Sequence, residues 1–372
     1  MPAKFVLASL LLASLSSVVS AASSCIASDI HWNLLAFGFN GKDYDAGTQD
    51  SWTQGNATDI TTTQGRPPFD GSNVTCYLSQ FTNAIYFMGA DASKPNDIHI
   101  YDATAKSWST QAVQQNSFDP TSSGAILDHD TNVFYAYSGG DIYSLDMELL
   151  KAANNTPKAW NDVQKVDWDT SSYQPTVALG QNHIFFLGVP GVNPGSTRIF
   201  VIHFSYLQPE PQAFGDIPNM HGKTASIFKD EGVQTQFIYV PDDGSATYLL
   251  DVTSNTTQTL KAPMDKDAQA TYFATTTAVI QLSSSGSVSY LPIDATNEGA
   301  NSNSNWATVS NLPVATPAKP SSASGSASGT GSAGAQSTGS TSDGTMDNGA
   351  AVLNVGRWVW SAVALMVGAA LF

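Results

Sequence analysis

Basic residues are scarce in this chain: 15 lysines and arginines stand against 31 acidic residues over 372 positions. That balance argues against nucleic acid and anionic lipid headgroups as partners. Arginine is rarer still, with Arg66, Arg198 and Arg357 the full set; Arg357 falls in the C-terminal segment expected to be removed, and the remaining two are too few for a bidentate clamp of three guanidiniums on a substrate carboxylate. Cysteine is limited to Cys25 and Cys76, and the six histidines (31, 99, 129, 183, 203, 221) offer no close pair at ligand spacing. The chain has no Gly-x-Ser-x-Gly elbow, no His-Glu-x-x-His and no phosphate loop. Sustained apolar 3.6-residue periodicity is missing too. The helix expectation is therefore confined to residues 146–153, where Leu145, Leu149 and Leu150 precede Asn154-Asn155.

Both ends carry sorting signals. Lys4 gives a positive start, Phe5 to Leu15 an apolar stretch and Val19-Ser20-Ala21-Ala22 a small-residue cleavage pattern, so residues 1–21 are expected to be a secretory signal peptide. At the other end, small Asn348-Gly349-Ala350 precedes a spacer and an apolar run from Trp358 to Phe372. That order predicts a glycosylphosphatidylinositol (GPI) signal, with attachment at Asn348 and removal of residues 349–372. A spanning helix fits less well, because 15 residues rising ~1.5 Å each cover about 22 Å of a core near 30 Å. No basic flank follows the run to anchor it. Expected localisation is the outer leaflet of the plasma membrane, through the lipid anchor, with transfer to a cell wall as a variant suited to a fungal surface protein. With Lys4 and Arg357 removed, 31 acids face 13 bases, a mature charge near −18.

An oxidising lumen makes a Cys25–Cys76 disulfide the economical pairing. Closing that loop constrains the unfolded chain by roughly 4 kcal/mol. Four N-glycosylation sequons stand at Asn56, Asn73, Asn154 and Asn255, whereas Asn155 fails because its third position is proline. Residues 313–348 turn to Ser, Gly, Ala, Thr and Pro, a composition that predicts a disordered stalk.

The body, residues 22–312, reads as all-β: short runs of Ile, Val, Phe, Tyr and Thr are punctuated by Gly, Asn, Asp and Pro. Trp52, Trp108, Trp160, Phe214, Leu260 and Trp306 recur at intervals of 56, 52, 54, 46 and 46 residues. The clearest copy runs through Val74-Thr75-Cys76-Tyr77-Leu78, Ala84 to Ala90 and Asp97 to Asp102 to Ser107-Trp108-Ser109. The next carries Phe134 to Gly140 with a double glycine, then Ile142 to Asp146. A period near 50 residues, a glycine after the second strand and a Tyr and Trp spaced as Tyr101 and Trp108 resemble kelch repeats. The resemblance is strong in two copies and weak in the others. It implies a kelch-like β-propeller of four-stranded blades, six by count with seven as the alternative. The first unit, Leu34 to Gly38, lacks an evident inner strand, so ring closure is expected to set an N-terminal strand beside C-terminal ones.

Kelch-like propellers include copper-radical oxidases, whose site needs a cysteine crosslinked to tyrosine, but a disulfide would consume the only candidate cysteines. Asp45 to Trp52 is only faintly similar to the aspartate box of sialidases. Paired-carboxylate glycosidase chemistry has four candidate glutamates, Glu148, Glu210, Glu231 and Glu298, all expected in loops. Asp242-Asp243-Gly244 and Asp265-Lys266-Asp267 read as acidic turns rather than calcium ligands. No catalytic residue, cofactor or metal site is assigned. The function expected is a surface recognition, adhesion or wall-associated module for an extracellular glycan or protein ligand, with a cell-surface carbohydrate-active enzyme as the alternative. The loops 147–158, 189–197 and 297–305 are the expected places for a site.

Overall fold

Second strands such as Ala84–Met88 and Gln236–Pro241 are apolar without alternation, the pattern of a sheet covered on both faces. The computed structural model describes residues 23–71, 73–294 and 298–316, and within them these runs build six four-stranded antiparallel blades of a β-propeller. Blade 1 consists of Cys25–Ser28, Leu34–Phe39, Lys42–Asp45 and Thr58–Asp59, and blade 2 of Thr75–Ser79, Ala84–Met88, Ile98–Asp102 and Ser107–Gln111. Blade 3 consists of Ser123–Asp128, Val133–Ser138, Asp141–Asp146 and Asn161–Lys165. In blade 4, Thr176–Gly180, His183–Leu187 and Ser196–Val201 are joined by Tyr206–Leu207 and by Gln212–Ala213, both paired with the third strand. Blade 5 is Gly222–Ser226, Gln236–Pro241, Thr247–Asp251 and Thr256–Leu260, and blade 6 is Thr271–Ala274, Ala278–Leu282, Val288–Pro292 and Ala307–Thr308. The expected signal peptide, the stalk beyond Thr316 and the anchor signal with Asn348 lie outside the described residues.

Alternation within a strand sends successive side chains to different neighbours. In the second strand of blade 2, Ala84 and Tyr86 pack towards blade 3, against Phe134 and Tyr143, while Ile85 and Phe87 pack towards blade 1, against Phe37. Burying each of the large apolar side chains among them contributes roughly 1.5–3 kcal/mol. The repeat residues hold the wedges together: Trp108 contacts Tyr101, Phe87 and Phe37, with ring centroids 5.0, 4.8 and 5.7 Å away. Trp52, Trp160, Phe214 and Leu260 are buried, and Trp306 is half-buried with its Nε1 donating to the Lys261 carbonyl at 3.1 Å. The glycine after the second strand has a steric basis in blade 4. Gly188 has φ +67°, and a Cβ there would stand 2.6 Å from the Met220 carbonyl oxygen.

Cys25–Ser28 supplies the inner strand of blade 1, pairing with Leu34–Phe39 directly downstream, and it lies beside Thr271–Ala274 of blade 6 without joining its ladder. Blade 6 instead meets blade 1 through packing, with Trp52 edge-on to Tyr290 at 4.9 Å. Residues 309–316 then clasp the seam. Asn311 donates from its backbone to the Trp52 carbonyl and from Nδ2 to the Ala46 and Ser51 carbonyls, and its own carbonyl accepts from Ala57 N. Ala315 N donates to the Gly286 carbonyl at 2.9 Å. A Cβ on Gly286, which has φ +84°, would sit 1.8 Å from the Ala315 oxygen. Cys25 and Cys76 form the disulfide, tying the innermost strands of blades 1 and 2 together.

The helix expected over 146–153 does not form. Glu148 has φ +51°, Met147 is fully buried and the Leu150 carbonyl accepts from the Tyr86 hydroxyl. The insertion returns as Lys158–Ala159, paired in parallel with Val113–Gln114. The one α-helix among the described residues is Glu298–Asn301.

Candidate functional site

Every blade runs in the same sense, so its turns sort by face. Turns between first and second strands and between third and fourth lie on one face, called here the cap face. Turns between second and third strands and the blade-to-blade connections lie on the other, with Ser23 and Thr316. This second face is called the tail face.

The first strands wall the central channel, which encloses a cavity of about 130 Å³ bounded by Tyr77, Ile126, Leu127, Val177, Leu179, Thr224, Ser226 and Tyr272. First strands have no ladder partner on their channel edge, so side chains supply the missing hydrogen bonds. Thr224 Oγ1 donates to the Val177 carbonyl, Ser226 Oγ to the Leu179 carbonyl at 2.8 Å, and Tyr77 OH to the Ala125 carbonyl at 3.3 Å. Burial pushes the Tyr77 hydroxyl above the ordinary tyrosine range. These groups stitch neighbouring blades and stay protonated.

One turn stands apart. Between the first and second strands of blade 5 lie nine residues, 227–235, against two to five in the other blades. The loop crosses the channel mouth. Phe228 stacks on Phe273 of blade 6, with centroids 5.6 Å apart, and lies 5.9 Å from Trp32 of blade 1. Trp32 Nε1 donates to Asp230 Oδ1 at 2.9 Å, Gln80 Nε2 of blade 2 to the Lys229 carbonyl at 2.8 Å, and Gln181 N of blade 4 to the Gln234 carbonyl at 2.8 Å. The loop thus closes this end of the channel by holding four other blades.

Where it meets blades 2 and 3 it leaves a surface cup of about 210 Å³, lined by Gln80, Phe81, His129, Asp230 and Gly232. Phe81 is 58% exposed, and its ring lies nearly parallel to the His129 imidazole, 6.2 Å away. Gln80 Oε1 and His129 Nδ1 are buried atoms without a hydrogen-bond partner, although His129 Nδ1 lies 3.3 Å from Asp130 Oδ1. Asp128, next in the chain, is fully buried, and that burial holds its carboxyl above the usual range while Thr131 Oγ1 donates to its Oδ2.

The residues singled out in the sequence scatter. His31, His129, His183 and His203 sit towards the cap face, His221 on the tail face with its Nδ1 2.7 Å from Asp242 Oδ2. His99 is inside, where burial lowers its pKa, with Nδ1 bonded to Thr110 Oγ1 at 3.1 Å. Among the described residues no three His, Cys, Asp or Glu gather as metal ligands. Glu148, Glu210 and Glu231 are loop residues, as expected, but Glu298 begins the short helix. The acidic turns satisfy their own backbones: Asp243 Oδ1 accepts from Ser245 N and Asp267 Oδ1 from Gln269 N, both at 2.9 Å.

All four sequon asparagines are exposed. Asn56, Asn154 and Asn255 lie on the third-to-fourth turns of blades 1, 3 and 5, at the rim of the cap face, and Asn73 lies on the tail face. The three loops expected to build a site do not converge. Residues 147–158 and the described part of 297–305 are at the cap-face rim, and 189–197 is on the tail face. Sequence reasoning missed 227–235, whose signal was the polar run Lys229-Asp230-Glu231-Gly232 separating Ile227-Phe228 from Phe237. Neither a scan against protein-family models nor a comparison with curated proteins finds a match for this chain.

Proposed function

We propose that this chain is an extracellular recognition module: a kelch-type propeller released into the secretory route by its N-terminal signal, glycosylated at Asn56, Asn73, Asn154 and Asn255, and held at the cell surface by a GPI anchor at Asn348. Its ligand is an extracellular glycan or protein. The observation that carries the reading is the Cys25–Cys76 disulfide between blades 1 and 2, a bond that persists in oxidising compartments. Surface exposure of every sequon asparagine supports it. The channel wall favours recognition over hydrolytic chemistry, since its hydroxyl groups are engaged in joining strands.

The test treats membranes from cells expressing the full-length protein with a phosphatidylinositol-cleaving phospholipase. Release of a protein lacking residues 349–372, with mass lost at the four asparagines on enzymatic deglycosylation, is expected. Retention in the membrane with those residues still attached would contradict the anchor.

A further inference from the structure

We propose that the cup between Phe81, His129 and Asp230 binds an alkylammonium group, and that its natural occupant is a lysine side chain of a partner protein. The partner half rests on the extracellular reading above; the ammonium half rests on the cup alone.

Three properties converge there. The first is an aromatic face: Phe81, 58% exposed at a turn tip, is a member of the wall rather than of the core. An ammonium within about 6 Å of such a ring is attracted by its quadrupole. The second is acceptors. Gln80 directs its Nε2 to the Lys229 carbonyl, which fixes the amide and leaves Oε1 buried with no protein donor. Asp230 is held by the indole of Trp32, so its carboxylate stands at the cup wall in a defined position. A ligand that brings donors and positive charge pairs with the Asp230 carboxylate, whereas a ligand of acceptors is repelled by it. The third is field. Asp29, Asp130, Asp230 and Glu231 belong to the turns around the cup, with Lys229 the one lysine or arginine among them, on a chain of formal charge −16. That field attracts cations and repels anionic lipid surfaces and phosphates.

The same geometry selects among cations. A guanidinium seeks both oxygens of one carboxylate, and Asp230 Oδ1 already accepts from Trp32 Nε1. An ammonium is a compact point charge and needs a single oxygen. Carried on a four-carbon stem, it reaches past Phe81 without bringing a sugar ring into the cup.

The test is calorimetric titration of the detergent-solubilised full-length protein with Nα-acetyl-lysine methylamide, its norleucine counterpart and a glucosamine oligomer. The lysine compound is expected to bind saturably and the norleucine compound at least about tenfold more weakly, since it keeps the alkyl stem and lacks the ammonium with its charge and donors. Asp230→Asn keeps an acceptor for Trp32 and removes the charge; it is expected to weaken lysine binding by about tenfold. Phe81→Leu keeps apolar contact and removes the π face; a loss of roughly threefold to tenfold is expected. Both variants should melt with the parent, because both side chains are exposed. Equal binding of norleucine, no binding of lysine, or unchanged affinity in both variants would overturn the ammonium site. Tighter binding of the glucosamine oligomer than of lysine would overturn the polypeptide partner. The phospholipase result does not enter this titration, so either reading can fail without the other.

Discussion

Arg66 and Arg198, the two guanidiniums of the body, are both committed to architecture. Arg66 forks onto Asp43, Nε to Oδ2 at 2.7 Å and Nη2 to Oδ1 at 2.8 Å, and lies over the Phe69 ring. Asp43 has no exposed surface and also accepts from Gly38 N at 3.0 Å. Arg198 in blade 4 has an exposed partner instead, with Nη2 donating to Asp167 Oδ1 and Nη1 to the Pro209 carbonyl while its guanidinium lies over Trp168. A buried pair such as Arg66–Asp43 adds little net stability but is costly to break, because the remaining charge has no water to return to. Arg66→Ala is therefore expected to lose about 3–5 kcal/mol of unfolding free energy by denaturant titration. A loss below about 1 kcal/mol would mean that Asp43 is solvated after all. At this scale the sequence was legible wherever chemistry forces burial. Trp108 and Trp160 declared their packing role by being large, apolar and periodic, whereas nothing near Asp43 announces that its partner is 23 residues away.

Strands were legible for a similar reason. Runs such as Phe237-Ile238-Tyr239-Val240, rich in β-branched and aromatic residues, fit a sheet buried on both faces. The helix expected over 146–153 failed because three leucines near Asn154-Asn155 suggest an amphipathic turn, while tertiary contacts decide otherwise: Leu149 is 65% exposed and Leu150 offers its carbonyl to Tyr86. Loop 227–235 was illegible in a different way. Its sequence is that of an ordinary polar turn, and its role comes from crossing a ring that only the folded molecule has. Phe228 seats the loop through Phe273 and Trp32. Phe228→Ala is expected to cost roughly 1–2 kcal/mol, below the core range because the residue is only partly buried. It should also accelerate amide exchange within 227–235 while leaving the blades protected. Unchanged exchange in that loop would show that the polar contacts to Trp32, Gln80 and Gln181 suffice to hold it.

For the whole molecule, closure and polarity are linked. The ring is sealed at blades 6 and 1 by packing and by the Asn311 clasp, and the described chain both begins and ends on the tail face. Composition placed the start of the stalk at residue 313, yet Ala315 is buried and bonded to Gly286, because a poor core former can still satisfy a neighbouring backbone. Both ends of the described chain lie on one face, and the other face carries the cap loop and its cup. Six blades follow from a period read in the sequence; the difference between the two faces does not, since it arises from one elongated turn. The most direct measurement of the account is hydrogen–deuterium exchange of the full-length protein with and without a saturating lysine-containing peptide. Protection confined to the cap-face turns 29–33, 80–83, 129–132 and 228–235 is predicted. Protection at the tail-face segments 189–195, 262–270 or 284–287, or no protection at any turn, would contradict it.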